Sequence, residues 1–219
     1  MLSIIIPCFN EEDIIAKNTN KILNWSKNQD FETEILVVNN NSTDKTLEEI
    51  NKFEDYEDVV ILNELNKGKG FAVKKGIHNC KYDKAVILDA DLSADIKELK
   101  KEWLEVDNLL IIGSRPLGNE INTPKIRKLS GNILNFLIRK IFKINFLDTQ
   151  CGFKVFNKKY SKKIFKMIKS YRFAFDVELT ILLNKKKIKI VELPLKWTHK
   201  SGSKLNIIKD IPIMIYDLL

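Results

Sequence analysis

"KAVILDADLSAD", residues 84–95, decides how this chain is read. Apolar residues Ala85 to Leu88 run straight into Asp89 and Asp91, with only Ala90 between them. A buried strand has little reason to end on two carboxylates unless something cationic is held there. At a spacing of i, i+2 both side chains leave a strand on the same face. Two close carboxylates repel and raise one pKa unless a cation intervenes. Hard divalent ions such as Mg2+ and Mn2+ prefer oxygen ligands and fill the rest of their shell from phosphates and water. The expectation is a metal at Asp89 and Asp91 that bridges protein to a diphosphate. An Asp-x-Asp pair alone is a weak signal; its place at the end of a central strand gives it weight. Ser93 is expected to cap the helix that follows.

Outward from this stretch, the first half alternates in period. "LSIIIP", "EILVVN", "DVVILN", "KAVILDA" and "NLLIIGS" read as strands, separated by helical patterns over 11–27, 43–53, 70–79 and 95–106. Ser42, Thr43 and Asp44 are good capping residues for the second helix. Short β-branched runs alternating with amphipathic helices predict an α/β fold with a mostly parallel central sheet covered by helices on both faces. Ligands of such sheets bind beyond the carboxyl ends of the strands. Pro7–Glu11, Asn39–Asp44, Asn63–Gly70, Asp89–Asp91 and Gly113–Arg115 all fall there. No GxGxxG follows the first strand, so a usual dinucleotide site is not indicated. The second half reads as a long basic amphipathic helix over 124–144, a turn and short strand in "DTQCGFKVF", helices near 158–168 and 175–185, and a strand "KIKIVELPL". No repeat, linker or clean boundary interrupts the 219 residues, so a single domain is expected.

Composition sets limits. With 44% hydrophobic residues the chain can bury a core. Cys8, Cys80 and Cys151 are far apart and suit neither a disulfide framework nor a zinc site, as in a reducing cytoplasm. "MLSIIIPCFNEE" reads as a buried strand and not as a signal peptide, and no uninterrupted apolar run reaches the roughly 18 residues of a membrane span. The net charge of +8 is divided: residues 1–120 carry 15 Lys+Arg against 23 Asp+Glu, and residues 121–219 carry 22 against 6. The second half is therefore expected to meet an anionic partner. Its bases are interleaved with Ile and Leu and have few aromatics beside them, which argues against nucleic acid.

"IIIPCFNEE", "LVVNNNSTDKT", "NKGKGFAVKKG", "LDADLSAD", "GSR", "DTQCGFKVF", "FAFDVEL" and "GSKL" occur in the order found in family 2 glycosyltransferases of the GT-A fold. The chain most resembles dolichyl-phosphate β-glucosyltransferases and dolichol-phosphate mannose synthases. The resemblance implies a Rossmann-like GT-A domain over 1–219, with a nucleotide-sugar-binding half (1–120) and an acceptor- and membrane-facing half (121–219). It implies inverting, Mg2+- or Mn2+-dependent transfer of a hexose, glucose from UDP-glucose before mannose from GDP-mannose, to a polyprenyl or dolichyl phosphate on the cytoplasmic membrane face. A membrane-anchoring partner protein would fit that setting. Pro7, Asn10, Glu11, Asn39, Lys69, Asp89, Ala90 and Asp91 then fall at the donor, and Asp91 is the firmer metal ligand. Arg115, Arg127 and Lys204 fall at the acceptor phosphate, and Asp176 and Glu178 near sugar and acceptor. Asp148 and Gln150 are expected to shape the pocket.

The chain departs from the family at Asn39, Asn40 and Asn41, where two acids and a glycine are common. Asparagine tolerates left-handed geometry, so Asn41 is a mild change; a carboxamide at Asn39 accepts hydrogen bonds more weakly than a carboxylate. A lipid phosphate is already ionised and needs no base, only anchoring and a neutralised leaving group. On a helix, Asp176 and Glu178 would point about 200° apart and could not both face one ligand. The helix at 124–146 carries Ile126, Leu129, Ile133, Leu134, Leu137, Ile138, Ile141 and Phe142 among lysines and arginines, as a helix in a lipid headgroup layer does. Two alternatives stay open: a family 2 enzyme with a saccharide acceptor, whose hydroxyl would need Asp176 or Glu178 as base, and a catalytically silent nucleotide-sugar binder.

Overall fold

A computed structural model describes residues 1–106, 110–172, 174–200, 214 and 216–218, without the side chains of residues 120, 126, 127, 159 and 160. Lys204, "GSKL" and most of the tail from Leu205 to Leu219 lie outside the described residues, and of Arg127 only the backbone is described.

The first half builds β1 (Leu2–Cys8), α1 (Ile15–Ser26), β2 (Thr33–Asn39), α2 (Thr46–Asn51), β3 (Val59–Asn63), α3 (Lys69–Asn79) and β4 (Lys84–Ile87). Every residue of β1 and β2 is buried, the signature of strands covered on both faces. α4 (Lys101–Glu105), β5 (Leu110–Ile121), α5 (Lys125–Phe142), β6 (Lys154–Asn157), α6 (Lys158–Phe165), α7 (Phe175–Lys185) and β7 (Ile190–Thr198) follow. The sheet order is β3-β2-β1-β4-β6-β5-β7. β6 runs antiparallel to both of its neighbours, whereas the other pairings are parallel. The expected mostly parallel, helix-covered sheet is thus present.

The reversal of β6 matters for the site. Its first residue, Lys154, pairs with Ile87 at the end of β4 and with Ile112 of β5. Residues 151–153 are thereby brought to the same sheet edge as Asp89. β5 and β7 lose register between Ser114 and Asn119, where a Cβ at Gly118 would collide with the Leu195 backbone.

Two local expectations are corrected. The helix foreseen over 95–106 is broken into a 3-10 turn, Ile96–Glu98, and α4. Asp95, not Ser93, caps that turn, accepting from the Lys97 N–H at 3.1 Å. Leu99 and Lys100 are extended between the two pieces.

A smaller cluster joins Leu134 and Ile138 of α5 to Ala174, Val177 and Ile181 around α7 and to Met214. α5 also carries a second apolar face that covers nothing described: Leu129, Ile133, Phe136, Leu137 and Ile141 are 43–62% exposed. Among the described residues no helix is long and apolar enough to cross a membrane.

Candidate active site

The loops after β1 and β2 are sewn together. Asn10, in left-handed geometry (φ 54°), donates its N–H to Ser42 Oγ at 3.0 Å and accepts from the Thr43 N–H at 2.8 Å. The Glu11 N–H reaches Thr46 Oγ1 at 2.7 Å, and Pro7 is buried beside Val38. Asn39 is also buried: its Nδ2 donates to Asn63 Oδ1 (3.0 Å) and its Oδ1 accepts from the Ser42 N–H (3.2 Å). Asn40 donates to the Asn66 carbonyl and accepts from the Gly68 N–H at 2.8 Å. The carboxamides that replace acids therefore tie β2 to β3 and to the following loop, and Asn41 does take a left-handed φ of 56°.

Gly68 and Gly70 aim Lys69. At Gly68 (φ 141°) a Cβ would run into the Tyr171 carbonyl, and at Gly70 one would lie 2.9 Å from Phe175 Cβ. The loop is pressed under residues 171–175, and the Gly70 N–H donates to the Tyr171 carbonyl at 2.8 Å. Lys69 Nζ then sits 2.6 Å from Asp89 Oδ1 and 3.9 Å from Asp176 Oδ2.

Asp89 and Asp91 lie beyond the end of β4, in a turn closed by the Leu92 N–H on the Asp89 carbonyl (3.0 Å) and not on the strand itself, and they meet different surroundings. Desolvation would raise Asp89, yet Lys69 above all, with Lys154 and Arg115, holds its carboxyl below the usual range. Among the described residues Asp91 accepts from within its own loop, from the Ser93 N–H (2.8 Å) and Oγ (2.9 Å). Desolvation and the negative charge of Asp89 push Asp91 up, and the Ser93 hydrogen bonds offset this only in part. Among the described residues no ion pair reaches Asp91. Its loop is rigidly held: the Ala90 carbonyl accepts from Asn18 Nδ2 at 2.7 Å, the Ser93 carbonyl from the Thr198 N–H at 2.7 Å, and Leu92 adopts φ 50°.

The reversed β6 supplies groups that sequence reasoning missed. Lys154, fully buried, binds the Cys151 carbonyl and Asp176. A lone lysine in the apolar run "GFKVF" was the only signal for it. Gly152 lies under Asp89: a Cβ there would be 2.6 Å from Oδ1 and closer still to Oδ2. Asp176 is thus a counter-ion for Lys154 and, at longer range, for Lys69.

Arg115 is committed to Asp148. Its Nε and NH2 reach the two carboxylate oxygens at 2.7 and 2.9 Å, and its guanidinium lies 5.6 Å over the Trp197 ring. Asp148 is fully buried, and although burial opposes ionisation, Arg115 keeps its carboxyl below the usual range. Glu192 fixes this loop by accepting the Leu147 and Asp148 N–H groups, both at 2.8 Å. Gln150 donates its N–H to Asp148 Oδ1 at 3.1 Å.

Glu178 does not join the site's cations. Its carboxylate accepts the backbone N–H groups of Lys169 and Ser170, the shortest at 2.7 Å. It closes the loop before α7, on the far side of the helix from Asp176, as helical spacing requires.

At one sheet edge, then, Asp89, Asp91, Asp148 and Asp176 are gathered with Lys69, Lys154 and Arg115. The described cluster has one more carboxylate than cation, and Asp91 is the group without an ionic partner. Among the described residues no three His, Cys, Asp or Glu side chains converge to hold a metal by themselves, so an ion at Asp91 would need oxygen ligands from a bound molecule or water.

The sequence pattern of Glycosyl transferase family 2 matches residues 3–165. The chain belongs to glycosyl transferase family 2. It is a glycosyltransferase with similarity well beyond the matched region. A dolichyl-phosphate beta-glucosyltransferase of Trichomonas vaginalis is 32% identical over 220 residues, covering 94% of this chain and 68% of that protein. The human dolichyl-phosphate beta-glucosyltransferase is 31% identical, covering 93% of this chain and 69% of its own length. Among solved structures, glucosyl-3-phosphoglycerate synthase from Mycobacterium tuberculosis in complex with Mn2+ and UDP-glucose superposes with a TM-score of 0.69 at 14% identity, over 100% of this chain and 77% of that one. This last likeness concerns the GT-A fold alone. Around Asp89 and Asp91, Lys154 and Gly152 are the groups that the structure adds to those expected from the sequence.

Proposed function

We propose that this family 2 glycosyltransferase transfers glucose from UDP-glucose to a dolichyl or other polyprenyl phosphate with inversion, at the cytoplasmic face of a membrane, using Mg2+ or Mn2+. The observation that carries the proposal is Asp91: a carboxylate at the tip of β4, beside a second carboxylate that a lysine already neutralises. Asp91 would hold the metal, with Asp89 beside it. When bound, the ion would neutralise charge on the departing nucleoside diphosphate. Pro7 and Asn39, near the ends of β1 and β2, and Asn10, Glu11 and Ala90, in the loops beyond the strands, would border the nucleotide, and Lys69 would face its phosphates.

The state of the acids favours an acceptor that is already an anion. A saccharide hydroxyl needs a base, but Asp176 is engaged by Lys154 and Glu178 by two backbone N–H groups. A phosphate acceptor asks only to be aimed at the anomeric carbon. Arg115, pre-oriented by Asp148, would serve that end together with Arg127 and Lys204. The likeness to dolichyl-phosphate beta-glucosyltransferases over 93–94% of the chain supports the same acceptor class. The exposed apolar face of α5, with Lys140 and Lys143 close by, suits peripheral seating on an anionic bilayer. On this reading residues 1–120 hold the donor and residues 121–219 face acceptor and membrane.

The test is direct. With labelled UDP-glucose, dolichyl phosphate in detergent and Mn2+, label should move into the organic phase. No lipid-linked label from UDP-glucose or GDP-mannose would defeat the proposal.

A further inference from the structure

We propose that Lys69 is the resident counter-ion of Asp89 and that it makes metal binding depend on the nucleotide. The ammonium holds Asp89 while the donor is absent, and it turns to the diphosphate when donor and metal arrive together. This inference rests on the donor site described above.

Three observations converge on it. Lys69 Nζ lies between two carboxylates, at 2.6 Å from Asp89 and 3.9 Å from Asp176, so a small side-chain swing changes its partner. Its backbone cannot follow, because Gly68 and Gly70 are wedged against Tyr171 and Phe175. Its side chain is only 22% exposed, so water cannot replace a lost carboxylate cheaply. A metal arriving alone therefore meets Asp91 free of cations but Asp89 already neutralised. It would have to push the ammonium towards Asp176 Oδ2, on a carboxylate whose charge Lys154 already shares through Oδ1. A diphosphate removes that obstacle by offering the ammonium a new anionic partner. Metal and nucleotide then strengthen each other's binding, and such coupling is reciprocal.

Several metal ligands would come from the diphosphate in any case, so the lysine's share must be isolated. The readout is Mn2+ binding to the full chain, followed through the free-ion signal in electron paramagnetic resonance, with and without UDP and without any turnover. Wild type should bind Mn2+ weakly alone and tightly with UDP. Lys69→Gln should bind Mn2+ alone about tenfold more tightly than wild type, with a smaller gain on adding UDP. An unchanged affinity in Lys69→Gln without UDP would overturn the proposal. Should that variant fail to fold, Lys69→Arg decides: its fork grips Asp89 at least as well, so Mn2+ alone must bind no more tightly than to wild type. Tighter binding by the arginine variant would overturn the proposal equally. Failure of wild type to bind Mn2+ even with UDP would instead defeat the donor-site reading itself.

Discussion

Gly152 lies against the Asp89 carboxylate so closely that a Cβ would sit 2.6 Å from Oδ1. The segment leading into β6 thus sets the position of an acid just beyond β4. Gly152→Ala should push Asp89 away from Lys69 and lower turnover by about a hundredfold, since small displacements at a reacting centre have that effect. Steady-state transfer assays would check this; near-wild-type turnover would show that Asp89 need not stay where it is.

Asp91 stores unfavourable charge. Desolvation and Asp89 both act against its ionised form. Asp91→Asn should abolish transfer while leaving the melting temperature equal to or above that of wild type, because removing like-charge repulsion relieves the fold. A variant that is active, or one that melts well below wild type, would contradict this assignment.

Arg115 and Asp148 form an ion pair whose carboxylate is fully buried. Asp148→Asn leaves the guanidinium without its buried partner, and a loss of about 3 kcal/mol in stability is expected. Chemical denaturation measures it directly. Transfer should fall as well, because Arg115 loses its aim.

Acid should act through the same groups. The carboxyls of Asp89 and Asp148 are held below their usual 3.8 in the folded chain. Groups with a depressed folded pKa stabilise fully above the unfolded value, and that stability is lost as pH falls through the folded one. Their contribution should therefore be constant from pH 7 to about 5 and decline below the usual 3.8. Melting curves across that range would show it; a steep decline already between pH 7 and 5 would point to other groups.

The outer face of α5 makes a separate prediction. Leu129, Ile133 and Phe136 are 62%, 52% and 59% exposed. Changing all three to serine should leave the melting temperature within a few degrees, as about expected for exposed positions, and should abolish flotation with anionic liposomes. Unchanged flotation would place the membrane contact elsewhere.

The parallel half of the fold was legible because its central strands, β1 and β2, are buried on both faces and so read as unbroken apolar runs. Asp89 and Asp91 were legible for the same reason, as polar residues where such a run ends. Lys154 and Gly152 were not, since their meeting with Asp89 depends on β6 being inserted in reverse between β4 and β5, a long-range pairing that no local pattern encodes. Asp176 and Glu178 were rightly set on different faces by helical spacing. That Glu178 closes the loop at Lys169 and Ser170 required the tertiary path of that loop. The broken helix after β4 reflects a local competition, in which Asp95 caps a tighter turn and Leu99 extends the backbone. On α5 the amphipathic pattern was read as one apolar face, whereas Leu134 and Ile138 pack inward and Leu129, Ile133 and Phe136 look outward.

The central claim is that a divalent ion joins Asp91 to the diphosphate of the donor. A crystal grown with UDP and Mn2+, with data collected at the manganese absorption edge, tests it most directly. An anomalous peak at bonding distance from the Asp91 carboxylate and from the diphosphate oxygens, with Lys69 turned away from Asp89, is the predicted result. Bound UDP without a peak at Asp91, its carboxylate still turned to Ser93, would contradict the claim.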